Sequence, residues 1–353
     1  MARRGDTDGR ALPTRPTRAI QFSEHGDVAV LHVADVPDPV CGPGDVVIEV
    51  GAVSLNGFDP MILSGSTGLK TPLPMTPGGD FAGHIVEVGA DVDGWAVGDR
   101  VCPHPFVLGE GMTGETRIGA ASEYVRIPAT NLIAVPDTVS DVNAAALPIA
   151  YGTAYRMMTT RGKVQAGEKI LILGATGGVG TCCVQLAKAA GAEVIVTGSA
   201  DWKLDKLREI GADHVINTSE VELVAAVHEI CGRPRMLGPG GADVIINYIG
   251  GDAWAQSLRC LRSDGRMLTC GATAGFEPPT DIRFIWTFEQ NIIGSNGWTP
   301  DEQRIVLDMV AADKLIPLIH SVRPLDEIAP AMTELIDRQV VGKSILTPGE
   351  PGR

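Results

Sequence analysis

The chain contains no Cys-x-x-Cys pair, no apolar run long enough to cross a bilayer and no surplus of positive charge. Each absence removes a class of protein. The seven cysteines (41, 102, 182, 183, 231, 260 and 270) are scattered and odd in number, so the sequence shows neither a disulfide framework nor a thiolate metal cluster. They read as reduced, buried thiols of a cytoplasmic protein. Nothing approaches the ~18 apolar residues of a membrane helix, so no membrane partner is expected. Lys and Arg number 29 against 43 Asp and Glu, a net charge of −14. Nucleic acid is held by dense basic surfaces, which excludes it as a partner. Met1–Arg18 carries five arginines, but also Asp6, Asp8 and two prolines, and no apolar stretch. It reads as a disordered extension rather than a secretory signal or transit peptide.

What is present is the composition of a globular protein: 353 residues, 44% hydrophobic and 20% charged. That length suits two domains better than one core. From Ile20 to about Pro136 the chain reads as short strands cut by turns, including Asp45–Val53 and Phe81–Val88, with Ala121–Ile127 and Leu132–Val135 in the same style. This predicts a β-rich, barrel-like unit. Near Ser140 the pattern changes to strands alternating with helices of about ten residues, which implies an α/β fold with a doubly wound parallel sheet. The strands are Lys169–Leu173, Glu193–Thr197, His214–Ile216, Asp243–Asn247, Arg266–Thr269 and Gln290–Gly294. Beyond Trp298, a helix (Thr299–Ala312) leading to Ile316–Val322, a second helix (Leu325–Arg338) and a final strand (Lys343–Leu346) are expected to pack back on the first unit.

The chemistry begins at Gly174-Ala175-Thr176-Gly177-Gly178-Val179-Gly180. A buried strand precedes this turn, a helix follows it, and a second strand comes about 20 residues on, which is the context of a dinucleotide site. Gly177 and Gly178 would let the backbone approach a pyrophosphate, and Gly180 would let the helix pack hard on the strand. The phosphates then meet the unpaired N–H groups of the helix N-terminus, with Thr176 and Val179 beside them. At the end of the second strand, NAD binding calls for an Asp or Glu. The chain has Val196-Thr197-Gly198-Ser199-Ala200 there, with no carboxylate until Asp201. Ser199 and Lys203 suit a 2′-phosphate, so NADPH is the expected cofactor; Lys203 as a plain solvated helix charge is the competing reading. Ile249-Gly250 and Gly271-Ala272-Thr273 lie at carboxyl ends of later strands, where ligands bind in such sheets, although each also reads as a turn.

The chain resembles the medium-chain dehydrogenase/reductases, in their zinc-independent, quinone-oxidoreductase-like branch. The resemblance rests on Ser54-Leu55-Asn56-Gly57-Phe58-Asp59, Pro77-Gly78-Gly79-Asp80-Phe81-Ala82-Gly83, Val97-Gly98-Asp99-Arg100-Val101, the glycine turn and Val341-Gly342-Lys343. It implies a GroES-like catalytic domain (residues 19–139 and 299–353), a Rossmann domain (residues 140–298), an active site between them and a homodimer paired near Asn291–Ser295. Zinc-dependent relatives place a Cys at Asn56, a His-Glu pair at Gly79-Asp80 and a third ligand near Ile149-Ala150. Of these positions only Asp80 offers a donor, and it alone does not make a site, so no metal is expected.

Without a Lewis acid, the implied reaction is hydride transfer to the activated double bond of a quinone or α,β-unsaturated carbonyl. Asn56 matches an active-site Asn of the family and would address a substrate oxygen or the nicotinamide ribose. Tyr151 and Thr153 stand where the chain enters the second domain, near the expected nicotinamide; Tyr151 reads equally as a packed aromatic with a satisfied hydroxyl. Asp59 is either a turn residue or a polar residue of the cleft. His84 reads as structural, and His104 is a weaker substrate-facing candidate. The Tyr that donates a proton in related enoyl thioester reductases would fall near Thr67–Leu69 and is absent, leaving water as the proton source. Two alternatives stay open: a tailoring enzyme for one complex metabolite, with Trp286, Trp298 and Pro103–Gly119 shaping its pocket, or a catalytically silent cofactor-binding protein.

Overall fold

A computed structural model describes residues 16–349. The expected N-terminal extension lies mostly outside the described residues. Its end is corrected: Thr17 and Arg18 open a strand, because Thr17–Gln21 pairs antiparallel with His32–Val36.

Two compact units emerge. The first takes the chain up to Pro148, then Ile319–Gln339 and the segment from Ser344; the second takes Ile149–Leu318 and Val340–Lys343. In the first unit, β1 (Thr17–Gln21) and β2 (His32–Val36) form a ribbon. β3 (Asp45–Ser54) is flanked by β4 (Asp80–Val88) and β8 (Tyr124–Pro128), with β5 (Arg100–Val101) beyond β4; β6 (Phe106–Val107) and β7 (Gly111–Met112) pair separately. Val46, Ile48, Phe81 and Ile85 of β3 and β4 are fully buried in one core cluster. Leu132–Val135 does not form the expected strand; Ala134 makes one isolated bridge to Val101.

The second unit carries β9 (Lys169–Ile172), β10 (Glu193–Gly198), β11 (His214–Asn217), β12 (Ala242–Ile246), β13 (Leu261–Thr269) and β14 (Asn291–Gly294). All are parallel, in the order β11-β10-β9-β12-β13-β14. This is the doubly wound order in which the chain reverses direction between its first and fourth strands, here β9 and β12. The apolar run of β9 is explained by burial on both faces: Ile170, Leu171 and Ile172 are all inaccessible to solvent. β13 starts earlier than its apolar residues suggest. Leu261 pairs with Ala242, and the register shifts before Arg266 meets Val244, with Asp264 at φ 56 in the intervening bulge.

The C-terminal packing differs from expectation. β15 (Ile319–Pro324) and β16 (Lys343–Thr347) complete the β3 sheet, and helix Ile328–Ile336 buries Ala331 and Met332 in the first unit's core. Helix Pro300–Ala311, however, belongs to the second unit. Its Glu302 carboxylate is buried and accepts from Arg156 Nη1 at 3.1 Å and Thr160 Oγ1 at 2.6 Å, both on second-unit residues. The division therefore falls at Pro148/Ile149 and Leu318/Ile319 rather than at 139/140 and 298/299.

Candidate cofactor and active site

The glycine turn leaves β9 and enters helix Gly178–Ala190, whose N-cap Gly177 is extended and supplies no capping side chain. No side chain of the turn caps the first amides of that helix. Gly174 has φ +58; its N–H donates to Thr197 Oγ1 at 2.9 Å, and its carbonyl accepts from Tyr248 Oη at 3.0 Å. A Cβ on Gly180 would stand 2.5 Å from the Ala175 backbone, so only glycine allows the helix to close on the turn. Gly342 N–H donates to Thr176 O at 2.8 Å. The next residue, Lys343, is 2% exposed and lays its side chain along Gly178, where a Cβ would meet Lys343 Cδ at 2.6 Å. The buried Lys343 side chain thus packs its aliphatic stem against the first turn of the helix.

The other strand ends converge on this edge. Asn247, fully buried at the end of β12, accepts from the N–H groups of Ile249 (3.1 Å) and Gly250 (3.0 Å) and donates to Ser257 Oγ at 3.0 Å. Thr273 N–H donates to Tyr248 O and Ala274 N–H to Ile249 O, which ties the Gly271-Ala272-Thr273 segment to the β12 loop. After β10, Ser199 is exposed. Lys203 is only 5% exposed, which rules out a solvated helix charge; its Nζ lies 5.3 Å from the Trp202 ring centroid. Asp201, the first carboxylate in sequence after β10, accepts from Asn217 Nδ2 at 2.8 Å.

Among the catalytic candidates, Tyr151 takes the packed position that its alternative reading describes. It is fully buried, and its hydroxyl accepts the Leu318 N–H at 3.0 Å. Burial drives its pKa far up, and neighbouring Cys182 adds to this, outweighing the bonds from Leu318 and Thr181. These are the surroundings of a packed aromatic with an engaged hydroxyl. Thr153, two residues on, is half-buried in the same helix, Pro148–Tyr155. In the first unit, Asn56 is 6% exposed and donates from Nδ2 to Asp80 Oδ2 at 2.9 Å. Asp59 behaves as a turn residue: its carboxylate takes the Asn56 N–H at 2.7 Å and Asp59 N–H returns to Asn56 O. His84 Nδ1 sits 3.8 Å from Asp141, which also holds Arg100 at 2.6 Å, a structural arrangement. His104 is buried, and its backbone pairs with Asn131. Thr197, Asn247 and Tyr248 were missed by motif reading; only their place at the ends of apolar strands signals them.

Residues 42–137 match the alcohol dehydrogenase GroES-like domain, and residues 178–312 match the zinc-binding dehydrogenase domain. A zinc-type alcohol dehydrogenase-like protein of Schizosaccharomyces pombe is 32% identical over 329 residues, which span 88% of this chain and 93% of that protein. The chain belongs to the medium-chain dehydrogenase/reductase superfamily. Within it, this medium-chain enzyme falls in the quinone-oxidoreductase-like branch. Human quinone oxidoreductase is 29% identical over 337 residues, covering 93% of this chain and 97% of its own. A crystal structure of an NAD-dependent alcohol dehydrogenase superimposes with a TM-score of 0.87 at 30% identity, covering 94% and 100% of the two chains. The medium-chain enzyme is accordingly an oxidoreductase of a family that binds a nicotinamide cofactor. The name of its second domain raises the question of zinc, and the residues do not fit that metal. An amide donating to a carboxylate, as Asn56 does to Asp80, is not a zinc donor set. Among the described residues, no three His, Cys, Asp or Glu side chains gather as one.

Proposed function

We propose that this medium-chain enzyme is a zinc-independent, NADPH-dependent reductase of quinones or α,β-unsaturated carbonyls. The observation that carries the reading is the Asn56–Asp80 hydrogen bond, at positions that zinc-dependent relatives fill with metal ligands. Bound NADPH supplies a hydride. The chain would hold the dinucleotide through the first amides of helix Gly178–Ala190 at its pyrophosphate and through Ser199 and buried Lys203 at its 2′-phosphate. Asp80 orients the Asn56 amide, which we assign to the acceptor oxygen as negative charge develops there. A preorganised donor of that kind contributes ~3–4 kcal/mol to the reaction. Tyr151 is withdrawn from proton transfer by its buried, engaged hydroxyl, and water delivers the proton. The seven free thiols agree with a cytoplasmic setting. The edge position of β14, with Ile292 38% exposed, supports pairing with a second copy.

Oxidation of NADPH and NADH with a panel of quinones and enones tests this, together with zinc analysis of the purified protein. Expected are turnover that favours NADPH and far less than one zinc per chain. Stoichiometric zinc would refute the zinc-independent mechanism. Tight NADPH binding with no turnover across the panel would favour a catalytically silent protein.

A further inference from the structure

We propose that Tyr248 is a positioning residue for the dinucleotide, its hydroxyl locking Gly174 so that the glycine turn is preset for the pyrophosphate. The inference rests on the dinucleotide-binding reading of that turn. β9 is bordered by β10 and β12, and each neighbour supplies one polar group to the peptide that starts the turn. From the β10 side, Thr197 Oγ1 accepts the Gly174 N–H at 2.9 Å; from the β12 side, Tyr248 Oη donates to the Gly174 carbonyl at 3.0 Å. Gly174 is at φ +58, a conformation that costs a side chain strain and that needs its backbone groups paired to persist. The pair of bonds holds it there, and the direction of the following amides is set by it. Ile249 closes the remaining space, its Cδ1 2.9 Å from where a Gly174 Cβ would be. Burial keeps the Tyr248 phenol protonated, so it remains a donor across the working pH range. The same residue accepts from Thr273 N–H through its carbonyl, so one side chain and its peptide link three strand ends at the switch point between β9 and β12.

The test is calorimetric titration of wild type and Tyr248→Phe with three probes: NADPH, ADP-ribose and 2′-AMP. ADP-ribose carries the pyrophosphate without the 2′-phosphate; 2′-AMP carries the 2′-phosphate alone. Tyr248→Phe is expected to weaken NADPH and ADP-ribose about 5- to 10-fold, the scale of one buried carbonyl losing its donor, and to leave 2′-AMP unchanged. Thr197→Val removes the opposing bond and should give the same pattern. Equal weakening of all three probes, as from general loosening of the unit, would overturn the proposal, as would wild-type affinity of Tyr248→Phe for ADP-ribose. Failure of the wild-type protein to bind ADP-ribose would instead remove the dinucleotide reading beneath it.

Discussion

Gly177→Ala separates the stability of the glycine turn from its use. Gly177 sits at φ −79 and ψ 175, which any residue adopts, and a methyl there meets nothing within 4 Å. The ligand-free protein should tolerate the change, or gain the ~0.4–1 kcal/mol that Gly→Ala gives by narrowing the unfolded ensemble. If the pyrophosphate lies over Gly177, the same methyl occupies ligand space. Binding should then weaken by ~1.4–3 kcal/mol, about 10- to 150-fold. Gly180→Ala is the opposite case. Its Cβ would lie 2.5 Å from Ala175 Cα and O, and backbone must move to relieve it. That overpacking costs ~1–3 kcal/mol of stability before any ligand is added. Urea unfolding without ligand and fluorescence titration with NADPH measure the two quantities. Wild-type NADPH affinity in Gly177→Ala would refute the placement of the pyrophosphate, whatever happened to stability.

Ser199→Ala combined with Lys203→Met should raise the KM for NADPH by the ~1.5–3 kcal/mol of a charge-assisted bond and scarcely change that for NADH; equal effects on both would sink the 2′-phosphate assignment. Glu302→Gln should cost ~1–3 kcal/mol at pH 7 through weakened bonds to Arg156 and Thr160. Burial opposes the Glu302 charge, but Thr160, the Thr299 amide and Arg156 outweigh it and hold the pKa below the usual carboxylate range. The folded-state value being the lower one, its stabilisation is complete above the unfolded pKa of about 4.3 and fades as pH falls through the folded value. The gap between wild type and variant, from unfolding at pH 7 and pH 4, should therefore shrink at pH 4; a wider gap would contradict the assignment. Ile292→Lys should shift sedimentation toward a single copy if β14 pairs across a two-fold axis, and an unchanged profile would exclude that edge.

The parallel sheet was legible because its signal is local. Lys169–Ile172 is apolar throughout since both faces are covered, and the helix from Gly178 follows directly from the turn. The assignment of helix Pro300–Ala311 was not. Its periodicity says that one face is buried, but the partner that decides which unit it joins, Arg156, lies 146 residues earlier in the chain. The early start of β13 was hidden for a related reason: Asp264 takes a left-handed conformation that sequence alone gives no cause to expect.

The site divides along the same line. The residues proposed to hold the phosphates are neighbours in sequence, so their chemistry can be read in place, whereas the role of a lone polar side chain is set by a distant partner. Tyr151 was an equally good proton donor or core residue until Leu318, 167 positions on, supplied the amide that occupies its hydroxyl. Tyr248 gave no signal because the carbonyl it serves is 74 residues away. Asn56 and Asp80 are brought together by a strand register: Ser54 of β3 faces Asp80 of β4, which places the residue two beyond Ser54 beside the carboxylate. Two positions that zinc-dependent relatives use as ligands thus sit at one end of an antiparallel pair and bond to each other. Asn56→Cys would therefore not restore a metal site. It would set one thiol against one carboxylate, short of the about three protein ligands that catalytic zinc requires.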